Sequence, residues 1–187
     1  MAHLHTGAGQ YDLTVSAYIV RRAPEPAVLL HRHKTLGIWM QHGGHVELDE
    51  TPWQALVREI REETGYDPAQ LCVLQPPRRL AALTGDLVHP QPVCVRSVPF
   101  GVGTNHFHTD LTYAFVTAEL PAYDIGPEES GERAWLTVAE VQALPPGTTY
   151  PDVRELSPYI VRLLAEWEDT PLLPEWADNP PPGSTPG

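Results

Sequence analysis

One amphipathic stretch limits what this chain can fold into. Between Thr51 and Thr64, the residues Trp53, Leu56, Val57, Ile60 and Thr64 recur at i, i+3, i+4, i+7 and i+11. That spacing gathers them on one face of a helix that must be covered by something apolar. Pro52 suits the first turn, with Asp49, Glu50 or Thr51 as the cap, and Gly65 supplies the stop. Around this helix the pattern is mostly that of strands. Residues 11–22 are rich in β-branched and aromatic types, and 27–33 read as a hairpin partner after the turn at Pro24 and Pro26. Further strands are predicted near 71–83, 92–99 and 106–119. A short helix is predicted at 137–144 and a longer one at about 152–168. One central helix among strands, followed by later helices, implies an α/β (α+β) domain with a mixed sheet in layers.

Length and charge narrow the class. A chain of 187 residues suits one domain with short additions, here an N-terminal segment at 1–10, a domain at 11–168 and a tail at 169–187. The tail holds six prolines and no basic residue, which favours an extended acidic segment, with Trp176 as an anchor if it docks. The formal net charge is −12, with 24 acidic against 12 basic residues. Such a balance does not coat nucleic acid, because nothing neutralises a run of phosphates. It still admits a phosphorylated small molecule bridged by a divalent cation. No apolar run approaches a membrane span, and the start lacks the regions of a secretory signal. Cys72 and Cys94 form neither a disulfide framework nor a metal motif. The expectation is a soluble protein of the reducing cytoplasm.

The chemistry is concentrated between Gly44 and Tyr66. Glu59, Glu62 and Glu63 lie at i, i+3 and i+4 and so share one side of the helix, opposite the Trp53/Leu56/Ile60 stripe. Three neighbouring carboxylates raise one another's pKa or demand a cation. Oxygen donors at this density suit Mg²⁺ or Mn²⁺ better than zinc. Arg58 sits on the adjacent edge, within reach of Glu50 or Glu62. The glycine pair Gly43-Gly44 lets backbone approach a metal or phosphate with no Cβ in the way. Read alone, such a cluster also describes an ordinary solvated helix face with Arg–Glu pairs.

The larger pattern is more specific. Gly44, five residues, Glu50, seven residues, Arg58-Glu59, an aliphatic, any residue, Glu62-Glu63, any residue, Gly65 and a bulky apolar residue resemble the Nudix box at every fixed position. A chance match is on the order of 10⁻⁷ at average residue usage. The resemblance implies a Nudix-like α/β/α sandwich with a mixed β-sheet. It also implies a Mg²⁺-dependent (or Mn²⁺-dependent) pyrophosphohydrolase of a nucleoside diphosphate linked to another moiety, such as ADP-ribose or an NTP. By the same resemblance Glu59, Glu62 and Glu63 are metal ligands, with Glu59 or Glu62 as base and the Gly43 carbonyl as a further ligand. Arg58 and Glu50 form an orienting salt bridge. A last carboxylate comes from a distant loop, where Glu129 is the first choice, ahead of Glu132 and Glu128. Dimers are common in similar proteins.

The chain also departs from the pattern. Tyr66 stands where an aliphatic is usual, and His42 where proline often precedes the glycine pair. The markers of particular substrate classes are missing: position 80 is leucine where an ADP-ribose type would carry proline. His106, His108 and Asp110 alternate in a predicted strand and point to one face, as a substrate-binding or second metal patch. His31 and His33 alternate likewise. His42, Trp39, Arg78, Arg79 and Arg96 complete the candidates for substrate contact, the arginines toward phosphates. A non-catalytic nucleotide sensor on the same fold is the alternative, because fold does not fix function.

Overall fold

The computed structural model describes residues 6–7, 9–100, 105–126, 129 and 131–172. The first strand, β1 (Tyr11–Arg21), turns at the prolines into β2 (Ala27–Arg32), followed by β3 (Trp39–Met40) and β4 (His42–His45). The box helix α1 (Pro52–Thr64) leads to β5 (Cys72–Gln75), β6 (Cys94–Phe100) and the long β7 (His106–Val116). Then come β8 (Arg133–Thr137), α2 (Val138–Ala143), α3 (Pro151–Leu163) and β9 (Glu168–Pro171). Among the described residues these strands join one mixed sheet in the order β3-β2-β1-β7-β5-β9, with β4 also on β1, β6 on β7 and β8 on β2. The β1–β7 pair is parallel, in register from Tyr11↔Phe107 to Val20↔Val116, and the other pairs are antiparallel.

Alternation along β1 sorts the layers. Val15, Ala17 and Ile19 face α1 and pack with Trp53, Leu56, Ile60, Tyr113 and Phe115. Tyr18 and Val20 face the other way, onto Val153, Ile160 and Leu163 of α3. The result is an α+β sandwich with α1 on one face and α2–α3 on the other. Because β1 is buried on both faces along its middle, its sequence carries a continuous apolar run rather than strict alternation.

The helix ends are fixed locally. The Thr51 hydroxyl accepts the Gln54 amide at 3.2 Å while Gln54 Oε1 accepts the Thr51 amide at 2.8 Å, which closes a capping box. Gly65 ends α1 at φ 75, and a Cβ there would strike the Tyr123 carbonyl.

Three predicted boundaries shift. The strand expected over 71–83 stops at Gln75, because Pro76 and Pro77 lack the amides to extend a ladder. The long helix ends at Leu163, and residues 168–171 pair with β5 through Val73↔Thr170. The start of the expected tail is thus an edge strand, tied by Arg22 to Asp169 at 2.7 Å. Trp176 lies outside the described residues. Among those described, no helix is long and apolar enough to cross a membrane.

Trp53 is 1% exposed, with its ring 5.2 Å from Tyr113 and 6.1 Å from Phe115. Trp53→Ala is expected to cost roughly 3–5 kcal/mol, a large share of a typical domain's stability. A matching fall in the urea midpoint checks this.

Candidate active site

The site forms where α1 crosses the end of β4. Gly43 and Gly44 lie in the ladder opposite Ser16 and Val15. Gly43 holds φ 138, and a Cβ on it would run into the Val15 carbonyl. A Cβ on Gly44 would occupy the place of the Glu59 carboxylate. The glycine pair is therefore a slot in the sheet into which an acidic side chain from α1 is pressed. Glu63 completes the seam: its Oε2 accepts the Gly43 amide at 2.8 Å.

The three glutamates do not share one environment. Expected together opposite the apolar stripe, they instead fan out: at about 100° per residue Glu63 falls only about 20° from Leu56, and only Glu62 is truly opposite. Side-chain exposure follows this fan, at 7% for Glu63, 14% for Glu59 and 51% for Glu62. Burial raises the Glu59 pKa to about 7, with the neighbouring Glu63 carboxylate adding to it against the pull of Arg58. Burial also raises Glu63, against the opposing effects of His31 and the Gly43 amide.

Arg58 organises the cluster. It grips Glu50 with two nitrogens, Nη2 to Oε1 at 2.7 Å and Nε to Oε2 at 3.2 Å. Its Nη1 reaches Glu59 at 2.8 Å and Glu62 at 3.3 Å, and Nη2 also donates to the His45 carbonyl at 3.1 Å. Glu50 in turn accepts the Glu47 amide at 2.9 Å, so loop, helix and strand meet on one guanidinium.

Behind Glu63 stand two buried histidines. His42 Nδ1 lies 3.3 Å and His31 Nδ1 3.8 Å from its carboxylate. Burial lowers His31 to about 4 and His42 to about 3, with Arg133 contributing to both. Both rings are therefore neutral at neutral pH. His42 is fully buried and cannot touch a substrate, which corrects its expected role. It packs behind Glu63 instead.

The donor set fits a hard divalent cation. Two carboxylates meet the glycine slot, Glu63 at the Gly43 amide and Glu59 against Gly44, and Glu62 joins them through the shared Arg58 nitrogen.

Other expected residues land elsewhere. Glu129 lies beside the box helix: its amide donates to the Gly126 carbonyl at 3.0 Å, and the Gly126 amide donates to the Glu62 backbone carbonyl at 2.8 Å. Glu132 instead pairs with Arg32 at 3.3 Å, and Glu128 lies outside the described residues. Arg96 does not await a phosphate. It bridges Asp110 at 3.3 Å and Asp152 of α3, holding β6, β7 and α3 together. Arg79 bonds the Pro76 carbonyl and Thr170, and Arg78 is exposed on the loop after β5. Trp39 packs into the core under α3, away from the box. His106 and His108 gather with Asp12 and His45 rather than with the box glutamates. Asp110 leaves that group to accept from Thr14, Ser16 and Thr112.

Sequence reasoning missed Arg133, whose Nη1 caps the Thr64 carbonyl at 2.6 Å, since the partners are 69 residues apart. It also missed Asp12 and His45. The alternation of His106 and His108 was a signal for such a cluster, but their partners on β1 and β4 depend on register.

The family model for the NUDIX domain matches residues 10–160. An RNA pyrophosphohydrolase of Halorhodospira halophila is 46% identical over 52 residues, which are 28% of this chain and 29% of that protein. The match thus spans less than a third of that relative's length. A NUDIX family hydrolase from Clostridium perfringens superposes with a TM-score of 0.67 at 25% identity, covering 82% of this chain and 97% of that one. The NUDIX domain of Shewanella oneidensis NrtR, solved with ADP ribose, superposes at 0.59 with 18% identity, covering 86% and 90%.

Glu59 carries a pH signature. Its folded pKa of about 7 lies above the ordinary 4.5, so the folded protein holds this proton more tightly than the unfolded chain. This group's contribution to stability is therefore greatest below pH 4.5 and falls as pH rises from 4.5 to 7. Without metal, Glu59→Gln should stabilise the protein at pH 8 by ~1–3 kcal/mol and change little at pH 4.5. Thermal melts in chelator at the two pH values check this.

Proposed function

This chain belongs to the NUDIX domain family, and on that premise we propose that it hydrolyses a phosphoric anhydride in a nucleoside diphosphate linked to a second group. The observation that carries the reading is the seating of Glu59 and Glu63 at the Gly43-Gly44 slot, with Arg58 tying Glu59 to Glu62 beside it. Such an array exceeds what helix stability needs, since buried like charges oppose folding.

Mg²⁺ or Mn²⁺ would be held by Glu59, Glu62 and Glu63, with the Gly43 carbonyl as a further donor. When bound, it withdraws charge from phosphate oxygens and lowers the pKa of an attacking water. The chain's own residues do the rest. Arg58 ties Glu59 and Glu62 to one nitrogen, and its bidentate hold on Glu50 keeps the 45–50 loop against α1. The Gly43 amide orients Glu63, and the neutral His31 and His42 rings wall off water behind it. Glu62 is the most exposed of the three and best able to take a proton from water at its free carboxylate edge. Glu129, beside the helix end, is the second candidate for that task.

The names of similar proteins speak of RNA, of ADP ribose and of Ap4A. They share a nucleotide with linked phosphates and diverge in what else is attached. The bond broken is therefore the phosphoric anhydride, and a substrate panel identifies the leaving group.

Glu63→Gln is expected to lower turnover on the preferred substrate by on the order of 10²–10⁴-fold, with an unchanged circular dichroism spectrum. The panel comprises nucleoside triphosphates, nucleotide sugars, dinucleoside polyphosphates and 5′-triphosphorylated RNA with Mg²⁺, read by mass of products. No hydrolysis across it would overturn the proposal. Tight nucleotide binding without turnover would favour the sensor.

A further inference from the structure

Around the edge of β4 from the box, the sheet carries a second cluster of metal-ligating side chains. Asp12 on β1 lies directly opposite His108 on β7, and Thr14 opposite His45 on β4. Alternation then sets Asp12, His45, His106 and His108 on one face. It is the face opposite α1, at the end of the sheet that the α3 core does not reach. His106 Nε2 is 3.1 Å and His45 Nε2 3.7 Å from Asp12 Oδ2. The His108 ring stands 4.9 Å from that of His45 and 5.3 Å from that of His106. The donor atoms of Asp12, His45 and His108 all lie within 4.8 Å of one another.

We propose that Asp12, His45, His106 and His108 form a second metal site, for a nitrogen-preferring divalent cation such as Zn²⁺, separate from the box carboxylates. Three imidazoles and one carboxylate match the donor set of zinc or cobalt and are unlike the all-oxygen set preferred by magnesium. With metal–ligand bonds of about 2.0–2.2 Å, small side-chain rotations bring Asp12, His45 and His108 onto one ion, and His106, 3.1 Å from Asp12 Oδ2, joins from the carboxylate side. The second carboxylate oxygen is already committed: Asp12 Oδ1 accepts the Thr6 hydroxyl at 2.6 Å, which turns Oδ2 toward the imidazoles. His45 is held by its carbonyl, which takes a bond from Arg58 Nη2. Access exists as well. An open cleft of about 350 Å³, lined by Thr6, Asp12, His45 and Glu50 among others, reaches two of the four ligands. The β4 edge thus separates an oxygen site from a nitrogen site, and the inference stands whether or not the box hydrolyses a nucleotide.

The test uses the full chain, stripped with chelator and then saturated with Mg²⁺. Co²⁺ is added and read by visible absorption and calorimetry. The expected result is one equivalent of Co²⁺ with the intense bands of a low-coordinate, nitrogen-ligated ion, displaced by one equivalent of Zn²⁺. Asp12→Asn and His45→Gln should each weaken binding tenfold or more, and Thr6→Ala, on the cleft rim, should weaken it in the same direction. Glu63→Gln should leave the bands in place. A plain His–Asp hydrogen-bond network predicts only the faint bands of six-coordinate, oxygen-ligated Co²⁺. That result would overturn the proposal, as would intense bands lost in Glu63→Gln and kept in the Asp12 and His45 variants.

Discussion

The guanidinium of Arg58 is the interaction on which the site depends. It meets three carboxylates and one carbonyl, on the loop before α1, on α1 itself and on β4. Exposed ion pairs contribute little, but this one is partly buried, bidentate and shared. Its nearest acid, Glu50, is held below the ordinary carboxylate range despite burial, by the bonds from Arg58 and the Glu47 amide. Without such a cation, Glu59 and Glu62 would repel across one turn, and the loop would have no reason to close on the helix. Lysine would not serve as well, because a single ammonium cannot fork to Glu50 and still reach Glu59.

A second constraint is the way the site buries charge. Glu59 and Glu63 are pressed into a sheet whose glycines leave them room, and both have raised pKa values. Folding alone gains nothing from this arrangement. Burial keeps the nearby histidines neutral at neutral pH, so His31 offers Glu63 a countercharge only in acid. Arg133 reinforces that neutrality and also caps the last turn of α1. Arg58 offsets only part of the cost of burying Glu59, whose pKa stays raised to about 7.

The face of the sheet opposite α1 is divided along β1. Its later half is apolar under α3. Its middle is a hydroxyl and carboxylate network in which Asp110 accepts from Thr14, Ser16 and Thr112 and pairs with Arg96. Its first part is the Asp12–histidine cluster. Each zone follows from one alternation, Asp12-Thr14-Ser16-Tyr18-Val20, read against the parallel β7 strand. A one-residue slip would send the polar set into the α1 core, so this face locks the register as firmly as the apolar one.

Much of this was legible in the chain. The apolar stripe from Trp53 to Thr64, the Thr51 cap and the Gly65 stop depend on neighbours within a few residues, and local periodicity determines them. The spacing of Glu50, Arg58, Glu59, Glu62 and Glu63 is likewise helical arithmetic, and it carried the family. What periodicity did not determine was the surroundings of each residue. Arg96 turned from a phosphate contact into a clamp on Asp110 and Asp152. His42 turned from a substrate contact into a buried wall behind Glu63. Residues 168–171 turned from tail into strand. Asp12 acquired His45, His106 and His108 as neighbours. Each outcome is set by strand pairing between residues distant along the chain. Spacing determines which face of an element a side chain occupies; only the packed sheet determines what that face meets.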